Sequence, residues 1–336
     1  MHSYPKAVLF LLTCSMANAV FSRDFAEIQA DIHREETKFR SIETQQGNFS
    51  PRLLESLDSL VKLSLMANRL GDAESYIDRA LQITRLEGGL HTPDQYRFLT
   101  AAIQVEMDQG NWKKTKEKLS HLKWLVGKKY EGSAIDRVEL LRWIVESHMR
   151  GFYEDKPSSG AEHLINSTQI SEIAVIYSQA NGLTELPAYM DLLLTLTNSY
   201  LLEVEGIRGG GSTSHRLRRL DPPELNLVEK RFDAEQKRYE VGLEKLQMIK
   251  GLSGKFSRSE LEARAMIDLY IARWQDYFHK VEERNITLSR ARADLIREGF
   301  DSAEIDNLLN NLARLPFDNL ALSFREVSTT VSVSGD

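Results

Sequence analysis

Cysteine is almost absent from this 336-residue chain, which has only Cys14. A lone cysteine excludes an intramolecular disulfide and a zinc site built from several thiolates. Turn-forming residues are also scarce, with 19 Gly and 8 Pro, which disfavours many short strands and favours long helices. Basic residues are not in excess, since the formal net charge is −6. Nucleic-acid binding by bulk charge is therefore not expected.

The N-terminus has the pattern of a secretory signal. Lys6 is followed by a short apolar run at 7–12 and by Ala-Asn-Ala at 17–19, small residues of the kind that a signal peptidase reads. We expect cleavage after this motif, export across the inner membrane and a periplasmic mature protein. The run is far shorter than the ~20 residues that cross a bilayer. The alternative is a lipoprotein anchored through Cys14.

The chain repeats itself with a period of 42 residues. Apolar spacings of three and four predict two amphipathic helices joined by a turn at Asn68 or Gly110. Ala73 and Ala80 lie seven residues apart on one helix face, which predicts close approach of a neighbouring helix. The recurring positions are Leu57, Leu60, Val61, Asn68, Leu70, Ala73, Ile77, Ala80 and Leu81, then Leu99, Ala102, Ile103, Gly110, Trp112, Thr115, Leu119, Leu122 and Lys123.

These residues resemble a tetratricopeptide repeat (TPR), whose second helix carries the pattern seen at Ala73, Tyr76 and Ala80. The period and the turn-rich residues 88–93 are similar to the longer-looped subtype found in kinesin light chain. The layout is also similar to secreted TPR proteins of Gram-negative bacteria that have no assigned activity. The resemblance implies an all-α fold, a right-handed superhelical stack of antiparallel helix pairs (a TPR-like α-solenoid) with about 12 helices.

The rest of the sequence predicts an extension of this stack. Ile28 and Ile32 belong to a helical stripe that can cap an open end, and Ser259-x-x-Glu262 and Asp301-x-x-Glu304 predict helix starts. Residues 157–160 interrupt a third repeat, whose second helix is predicted to begin near residue 161. The predicted segments are a signal peptide (1–19), a capping helix (20–46), TPR-like repeats (47–205), a flexible Gly/Ser/Arg loop (206–221), degenerate repeats (222–315) and a tail (316–336).

The stretches that resemble motifs for catalysis or phosphate binding lack residues that those motifs require. The Gly-rich stretch 209–214 lacks the closing glycine of a hydrolase elbow, and residues 249–256 lack the first glycine and the hydroxyl residue of a phosphate loop. His279 and Glu282 share a helix face, but pairs at that spacing are more often solvated contacts than metal ligands. We predict no enzyme activity, no metal and no cofactor; a diverged enzyme is the less favoured alternative.

The leading hypothesis is a scaffold that binds a protein or peptide in the concave groove, because one helix of each pair lines the inside of a solenoid. The TPR carboxylate clamp for chaperone tails is not expected, since Asp58 replaces its Lys and Gln104 replaces an Asn. Lys62, Arg97 and Arg142 predict a basic rim that contacts carboxylates. The groove positions that the resemblance implies include Lys62, Met66, Arg97, Gln104, Arg142 and His148.

A second hypothesis concerns the Lys-rich helix after Gly110. Wheel geometry places Trp112, Leu119 and Leu122 on one side and Trp124 on the opposite side. The outer side predicts a membrane-peripheral assembly factor that binds an anionic membrane surface, or else an acidic partner. The alternative without a binding function is a solvated face, with Trp124 packed under the next helix. This basic patch comprises Lys113, Lys114, Trp124 and Lys128; the oligomeric state is left open.

Overall fold

The computed structural model describes residues 25–128, 130, 132–218, 227–254 and 259–310. This part of the chain contains 13 α-helices, one short 3-10 turn and no strand. The signal peptide with Cys14, the tail at 316–336 and residues 219–221 of the predicted loop lie outside it. The chain divides into two compact units, and the boundary in the sequence falls between Glu131 and Gly132. This boundary falls inside the predicted repeat segment 47–205.

The helices of each unit follow one another along the sequence. Those of the first unit are α1 (Phe25–Gln46), α2 (Leu53–Met66), α3 (Leu70–Gly88), α4 (Tyr96–Asp108) and α5 (Trp112–Lys128). Those of the second unit are α6 (Ala134–Glu154), α7 (Pro157–Ala180), α8 (Pro187–Gly209), α9 (Gly211–Leu217), α10 (Leu227–Ser253), α11 (Glu260–Tyr277), α12 (Val281–Glu298) and α13 (Ser302–Asn310).

The turns of the first unit follow the 42-residue period. Asn68, between α2 and α3, and Gly110, between α4 and α5, both adopt left-handed φ angles of 55° and 73°. The residue after each turn closes the same backbone hydrogen bond, from N–H of Arg69 to the carbonyl of Ser64 and from N–H of Asn111 to the carbonyl of Glu106, both 2.8 Å. This is the bonding of a helix end whose last carbonyls are satisfied by a left-handed residue.

The core of the first unit confirms the predicted register. The recurring apolar and small positions on the helices of the two repeats are buried, except Leu70, which like Lys123 is half-buried. Ala73 and Ala80 have no exposed surface, so the helix packed against this face of α3 comes close. Since full burial of a large apolar side chain contributes about 1.5–3 kcal/mol, the recurring leucines and isoleucines supply much of the stabilisation of each pair.

Helix α1 packs on the first pair. Ile28 and Ile32 form a cluster with Leu60 of α2, and the hydroxyl of Tyr76 in α3 donates to Glu36 Oε1 at 3.0 Å. Phe25, the first residue of α1, is exposed and takes no part in this cluster. The apolar contact therefore begins at Ile28.

The second unit contains a further pair that resembles those of the first. His279, between α11 and α12, has a left-handed φ of 59°, and N–H of Lys280 donates to the carbonyl of Gln275 at 2.8 Å. The predicted helix starts are confirmed, since Ser259 Oγ accepts from N–H of Glu262 at 3.2 Å. His279 therefore occupies the turn of this pair, at the position that Asn68 and Gly110 occupy in the pairs of the first unit.

Two expectations for the second unit are wrong. Pro157 does not delay a helix but begins α7, because proline fits the first helical position, whose N–H has no intrahelical partner. The region expected to be a flexible loop continues α8 to Gly209 and then forms α9. Leu217 of α9 is only 4% exposed and packs in a cluster with Leu164 and Ile207, so this segment buries apolar surface that offsets the entropy of ordering it.

Candidate functional site

The predicted groove positions of the first unit form an exposed polar face on α2 and α4, hereafter the α2–α4 face. Lys62 and Arg97 are exposed, Met66 is 39% exposed and Gln104 is half-buried. Lys62 Nζ lies 2.6 Å from Asp58 Oδ2. These four side chains of α2 and α4 therefore reach solvent wholly or in part.

The polar side chains of the α2–α4 face already contact neighbouring residues of the first unit. Besides the Lys62 pair, Gln104 Nε2 donates to Asp108 Oδ1 at 2.8 Å, and the Arg97 guanidinium lies 4.7 Å from the centre of the Phe98 ring. Exposed pairs of this kind contribute about 0–1 kcal/mol. They can therefore be exchanged for contacts with a partner at little cost.

Arg142, the third residue of the predicted rim, belongs to the second unit and is held by carboxylates there. Its Nε donates to Glu139 Oε2 at 2.9 Å, its Nη1 donates to Glu146, and Asp191 Oδ2 lies 3.7 Å away. Burial alone would lower the pKa of Arg142, but Glu146, Glu139 and Asp191 raise it above its usual value. Arg142, predicted as part of a basic rim with Lys62 and Arg97, therefore already contacts three carboxylates of its own unit.

His148 is not a groove residue, because it is buried between α6 and α7 with only 4% of its surface exposed. Its Nδ1 lies 3.2 Å from Nδ1 of His163, and Nε2 of His163 lies 3.3 Å from Asp155 Oδ2. The His163 ring also lies so close to the backbone of α6 that residue 151 must be glycine, because a β-carbon there would lie 2.3 Å from the ring. Sequence periodicity gave no signal for this contact.

The wheel predicted for α5 is confirmed. Trp112, Leu119 and Leu122 are buried, whereas Trp124 is 43% exposed and contacts the ring of His91 at 4.6 Å between centroids. Trp124 thus packs against the α3–α4 connection while one face remains in solvent. Lys113, Lys114 and Lys128 of the predicted basic patch are all exposed.

Part of the lysine excess on α5 has a structural role. Glu106 of α4 is buried, and its Oε1 lies 2.9 Å from Lys118 Nζ and 3.6 Å from Lys114 Nζ. Burial alone would raise the pKa of Glu106, but the hydrogen bond and charge of Lys118, with Asn111 and Lys114, lower it below its usual value. Lys114 therefore faces both the core carboxylate and solvent.

Between α3 and α5 the first unit has an open depression of about 710 Å³, hereafter the α3–α5 depression. Buried Leu81 and Leu99 form part of its lining, and the highly exposed Leu86 and Leu90 stand beside them. Sequence analysis missed this feature, because α3 and α5 are distant in sequence and Leu90 lies in a connection. The polar lining consists of Asp78, Gln82, Arg85, Glu117, Lys118 and His121.

His121 lines the α3–α5 depression together with two acidic side chains, Asp78 and Glu117, and two basic ones, Arg85 and Lys118. Burial lowers the pKa of His121, and the charges of Arg85 and His91 lower it further. Lys123, half-buried on α5, also has its pKa lowered by burial. A carboxylate placed here would favour the protonated forms of these groups.

The second unit contains a buried ionic network around Glu203. Glu203 of α8 accepts from Thr168 Oγ1 at 2.6 Å and from Arg238 Nε at 2.8 Å. Burial raises the pKa of Glu203 in spite of Arg238. The network connects α7, α8 and α10 and had no motif in the sequence.

Among residues 25–128, 130, 132–218, 227–254 and 259–310, no three His, Cys, Asp or Glu side chains converge in a way that could hold a metal ion. None of the helices described is both long and apolar enough to cross a membrane.

The two helix pairs of the first unit repeat their left-handed turns and their buried positions with a spacing of 42 residues. The chain has a TPR-like fold. Two solved structures are similar to it, both of nearly identical TPR-like repeats of the kinesin light chain type from Podosopora anserina. One is 12% identical, with 75% of this chain and 99% of that chain covered at a TM-score of 0.47. The second, a point variant, is 13% identical, with 73% and 95% covered at 0.46. No family model and no curated protein matches the chain.

Proposed function

We propose that the protein is a noncatalytic scaffold that binds a protein partner through the α2–α4 face of its first unit. The supporting observation is the exposure of the predicted positions on α2 and α4, in contrast to the inward-facing His148 and the carboxylate-bound Arg142 on α6. The proposed site is therefore confined to the first unit. Repeat folds of stacked helix pairs present surfaces of this kind without needing a catalytic pocket.

The chemistry of this face suits a polar peptide with one apolar contact. Met66 offers a flexible apolar side chain that adapts to different partners, while Lys62 and Arg97 offer charge-assisted hydrogen bonds to carboxylates. Because the Lys62–Asp58 pair is exposed, a partner carboxylate can replace Asp58 as the group that Lys62 contacts.

The test is crosslinking of the protein in its native compartment, followed by purification and identification of what is attached. We expect Lys62→Glu with Arg97→Glu to reduce recovery of the partner about tenfold or more at low salt, with helicity unchanged. A matched control is Arg231→Glu with Lys237→Glu, which reverses two exposed, locally paired cations of the second unit. Full recovery by the first double variant, or equal loss with the control, would contradict the proposal.

We further propose that the scaffold acts outside the cytoplasm, most simply in the periplasm. The support is the basic residue, short apolar run and Ala-Asn-Ala motif of residues 6–19. Mass spectrometry of the protein isolated from its source should find an N-terminus at Val20. A lipid-modified Cys14 would favour the lipoprotein alternative, and an intact Met1 would contradict export by this route.

A further inference from the structure

Two buried histidines face each other where α6 packs on α7. His163 has no exposed surface, and His148 is 4% exposed. Their Nδ1 atoms lie 3.2 Å apart, and Nε2 of His163 lies 3.3 Å from Asp155 Oδ2. The other oxygen of Asp155 accepts from N–H of Lys156 at 2.7 Å, which holds the carboxylate in place. Since buried polar groups at these distances are hydrogen-bonded, the three side chains form one series of hydrogen bonds, hereafter the His148–His163–Asp155 triad.

The contact between the two rings limits the positive charge that the triad can hold. Only one hydrogen can lie between two nitrogens that are 3.2 Å apart, so one of the two Nδ1 atoms carries no proton. An imidazole ring with an unprotonated nitrogen is neutral. At least one of His148 and His163 is therefore neutral while the rings are in contact. A second charged ring would set two N–H groups and two positive charges against each other at a buried site, where such contacts are costly.

The surrounding packing leaves the His163 ring little room to turn away. A β-carbon on Gly151 of α6 would lie 2.3–2.8 Å from three atoms of that ring. Met149 and Phe152 of α6 pack against the buried cluster that contains Leu164 of α7. Repulsion between two charged rings is therefore relieved by separation of α6 from α7.

The charged groups around the triad come from five helices. Each pairing at the neighbouring helices ties its charge to another group: Arg216 of α9 donates to the carbonyl of Ser158 at 3.0 Å, and Glu203 of α8 accepts from Arg238 of α10 at 2.8 Å. A second charge on the rings is disfavoured whatever these groups contribute, because it removes the hydrogen bond between the rings. The charged side chains nearest to the triad along α6 and α7 are Glu146, Arg150, Glu154, Lys156 and Glu162.

We propose that the His148–His163–Asp155 triad makes the second unit sensitive to acid. The triad holds α6 on α7 while at least one ring is neutral, and α6 separates from α7 when both rings are protonated. Separation exposes the cluster of Leu164, Ile207 and Leu217 against which α6 packs. The proposal concerns the second unit alone and does not depend on binding at the α2–α4 face.

The sign of the pH effect follows from the protons bound in each state. Histidines in an unfolded segment protonate independently near a pKa of about 6.5. Below about pH 6, the separated state therefore binds at least one proton more than the packed state, and its equilibrium constant rises by up to about tenfold for each pH unit. The stabilisation by the triad is thus complete near neutral pH and is lost on acidification.

The test measures hydrogen–deuterium exchange of the full chain by mass spectrometry between about pH 6 and pH 5, corrected for the intrinsic exchange rate. His148→Asn places an oxygen and a nitrogen near the position of Nδ1, so that it can accept from or donate to His163 in either protonation state. Relative to this variant, we expect the opening constant of α6 and α7 in wild type to rise about fivefold or more over that range. Because the comparison is one of slopes, it holds even if the variant is less stable.

The matched control makes the same substitution at an exposed turn of the same unit. His279 has a left-handed φ of 59°, which asparagine tolerates. His279→Asn should keep the pH dependence of wild type at α6 and α7. Peptides from α2 and α3 of the first unit should exchange alike in wild type and in His148→Asn.

Nuclear magnetic resonance of the imidazole groups provides an independent measurement on wild type. At about pH 5, the folded protein should show no more than one charged ring at His148 and His163. Equal pH dependence of wild type and His148→Asn, or loss of that dependence in His279→Asn, would overturn the proposal. So would two charged rings in a protein whose α6 and α7 remain protected from exchange.

Discussion

At the scale of single residues, Gly242 of the second unit marks a contact between two helices that leaves no room for a side chain. A β-carbon on Gly242 of α10 would lie 2.1 Å from Cζ2 of Trp274. The Trp274 ring is fully buried, and its Nε1 donates to the carbonyl of Tyr239 at 3.1 Å. The ring is therefore held by both packing and a hydrogen bond and has little freedom to move away.

We predict that Gly242→Ala lowers the free energy of unfolding by about 1–3 kcal/mol through this overlap. The matched control is Gly251→Ala on the same helix, where no atom lies within 4 Å of the added carbon. Because alanine is the better helix former, the control should raise stability by about 0.5–1 kcal/mol. Urea unfolding measures both. Equal effects of the two substitutions would show that Trp274 does not approach α10 as described.

At the scale of elements, α9 shows how a short polar helix can be held by few contacts. Gly206 of α8 leaves room for Leu217, whose Cδ1 would lie 2.6 Å from a β-carbon at 206. Ser214 Oγ donates to the carbonyl of Ile207 at 3.0 Å, and Arg238 Nη2 donates to the carbonyl of Leu217 at 3.1 Å. The helix is thus attached to α8 and α10.

We predict that Leu217→Ala lowers the free energy of unfolding by about 2–5 kcal/mol, since it leaves a cavity at a buried site. Leu86→Ala, at an exposed site, should change it by less than about 0.5 kcal/mol. In brief trypsin digestion, Arg216 should be cut slowly in wild type and faster in Leu217→Ala. Rapid cutting of wild type at Arg216 would instead support the mobile loop expected from the sequence.

Helix α3 provides a test of the repeat register. Ala80→Trp should lower stability by about 1–3 kcal/mol or more, because a large side chain cannot fit where Ala80 is completely buried. Ser75→Trp, at an exposed position of the same helix, should have little effect. Thermal unfolding followed by circular dichroism is the measurement, and an unchanged midpoint for Ala80→Trp would place Ala80 in solvent.

At the scale of the whole molecule, a buried carboxylate of the first unit and one of the second unit should respond to pH in opposite directions. Lys118 and Lys114 give Glu106 of the first unit a lowered pKa in spite of its burial. Burial gives Glu203 of the second unit a raised pKa in spite of Arg238. A lowered folded-state pKa contributes stability that is lost on acidification, whereas a raised one contributes stability that grows on acidification.

We predict opposite slopes when each carboxylate is replaced by its amide. The stability of wild type relative to Glu106→Gln should be greatest above the unfolded-state pKa of about 4.3 and should vanish as the pH falls through the lowered folded-state pKa. The stability of wild type relative to Glu203→Gln should rise as the pH falls through the raised folded-state pKa, until it levels off below about 4.3. Urea unfolding across pH measures both differences. Slopes of the same sign would contradict the assignment.

The sequence by itself determined what depends on neighbours within a few turns of helix. It predicted the all-α class, the 42-residue register, turns at Asn68 and Gly110, which the structure shows to be left-handed, and the reciprocal cap in which N–H of Glu304 donates to Asp301 Oδ1 at 2.8 Å. These features follow from apolar periodicity and from side chains three residues apart, both of which are local. The exposed positions of α2 and α4 followed from the same register.

Only the tertiary structure decided which polar groups meet. Periodicity predicts that a face is buried or exposed, but the partner of a charge lies on another helix, as Asp191 does for Arg142 and Arg238 for Glu203. The α3–α5 depression likewise needs side chains from three helices and a connection. The sequence did not predict helix α9, because this short helix has no apolar stripe of the kind that a longer helix shows. It is held in part by the contact of Leu217 with Gly206. Contacts between distant segments depend on how the helices pack, and packing leaves no fixed spacing in the chain.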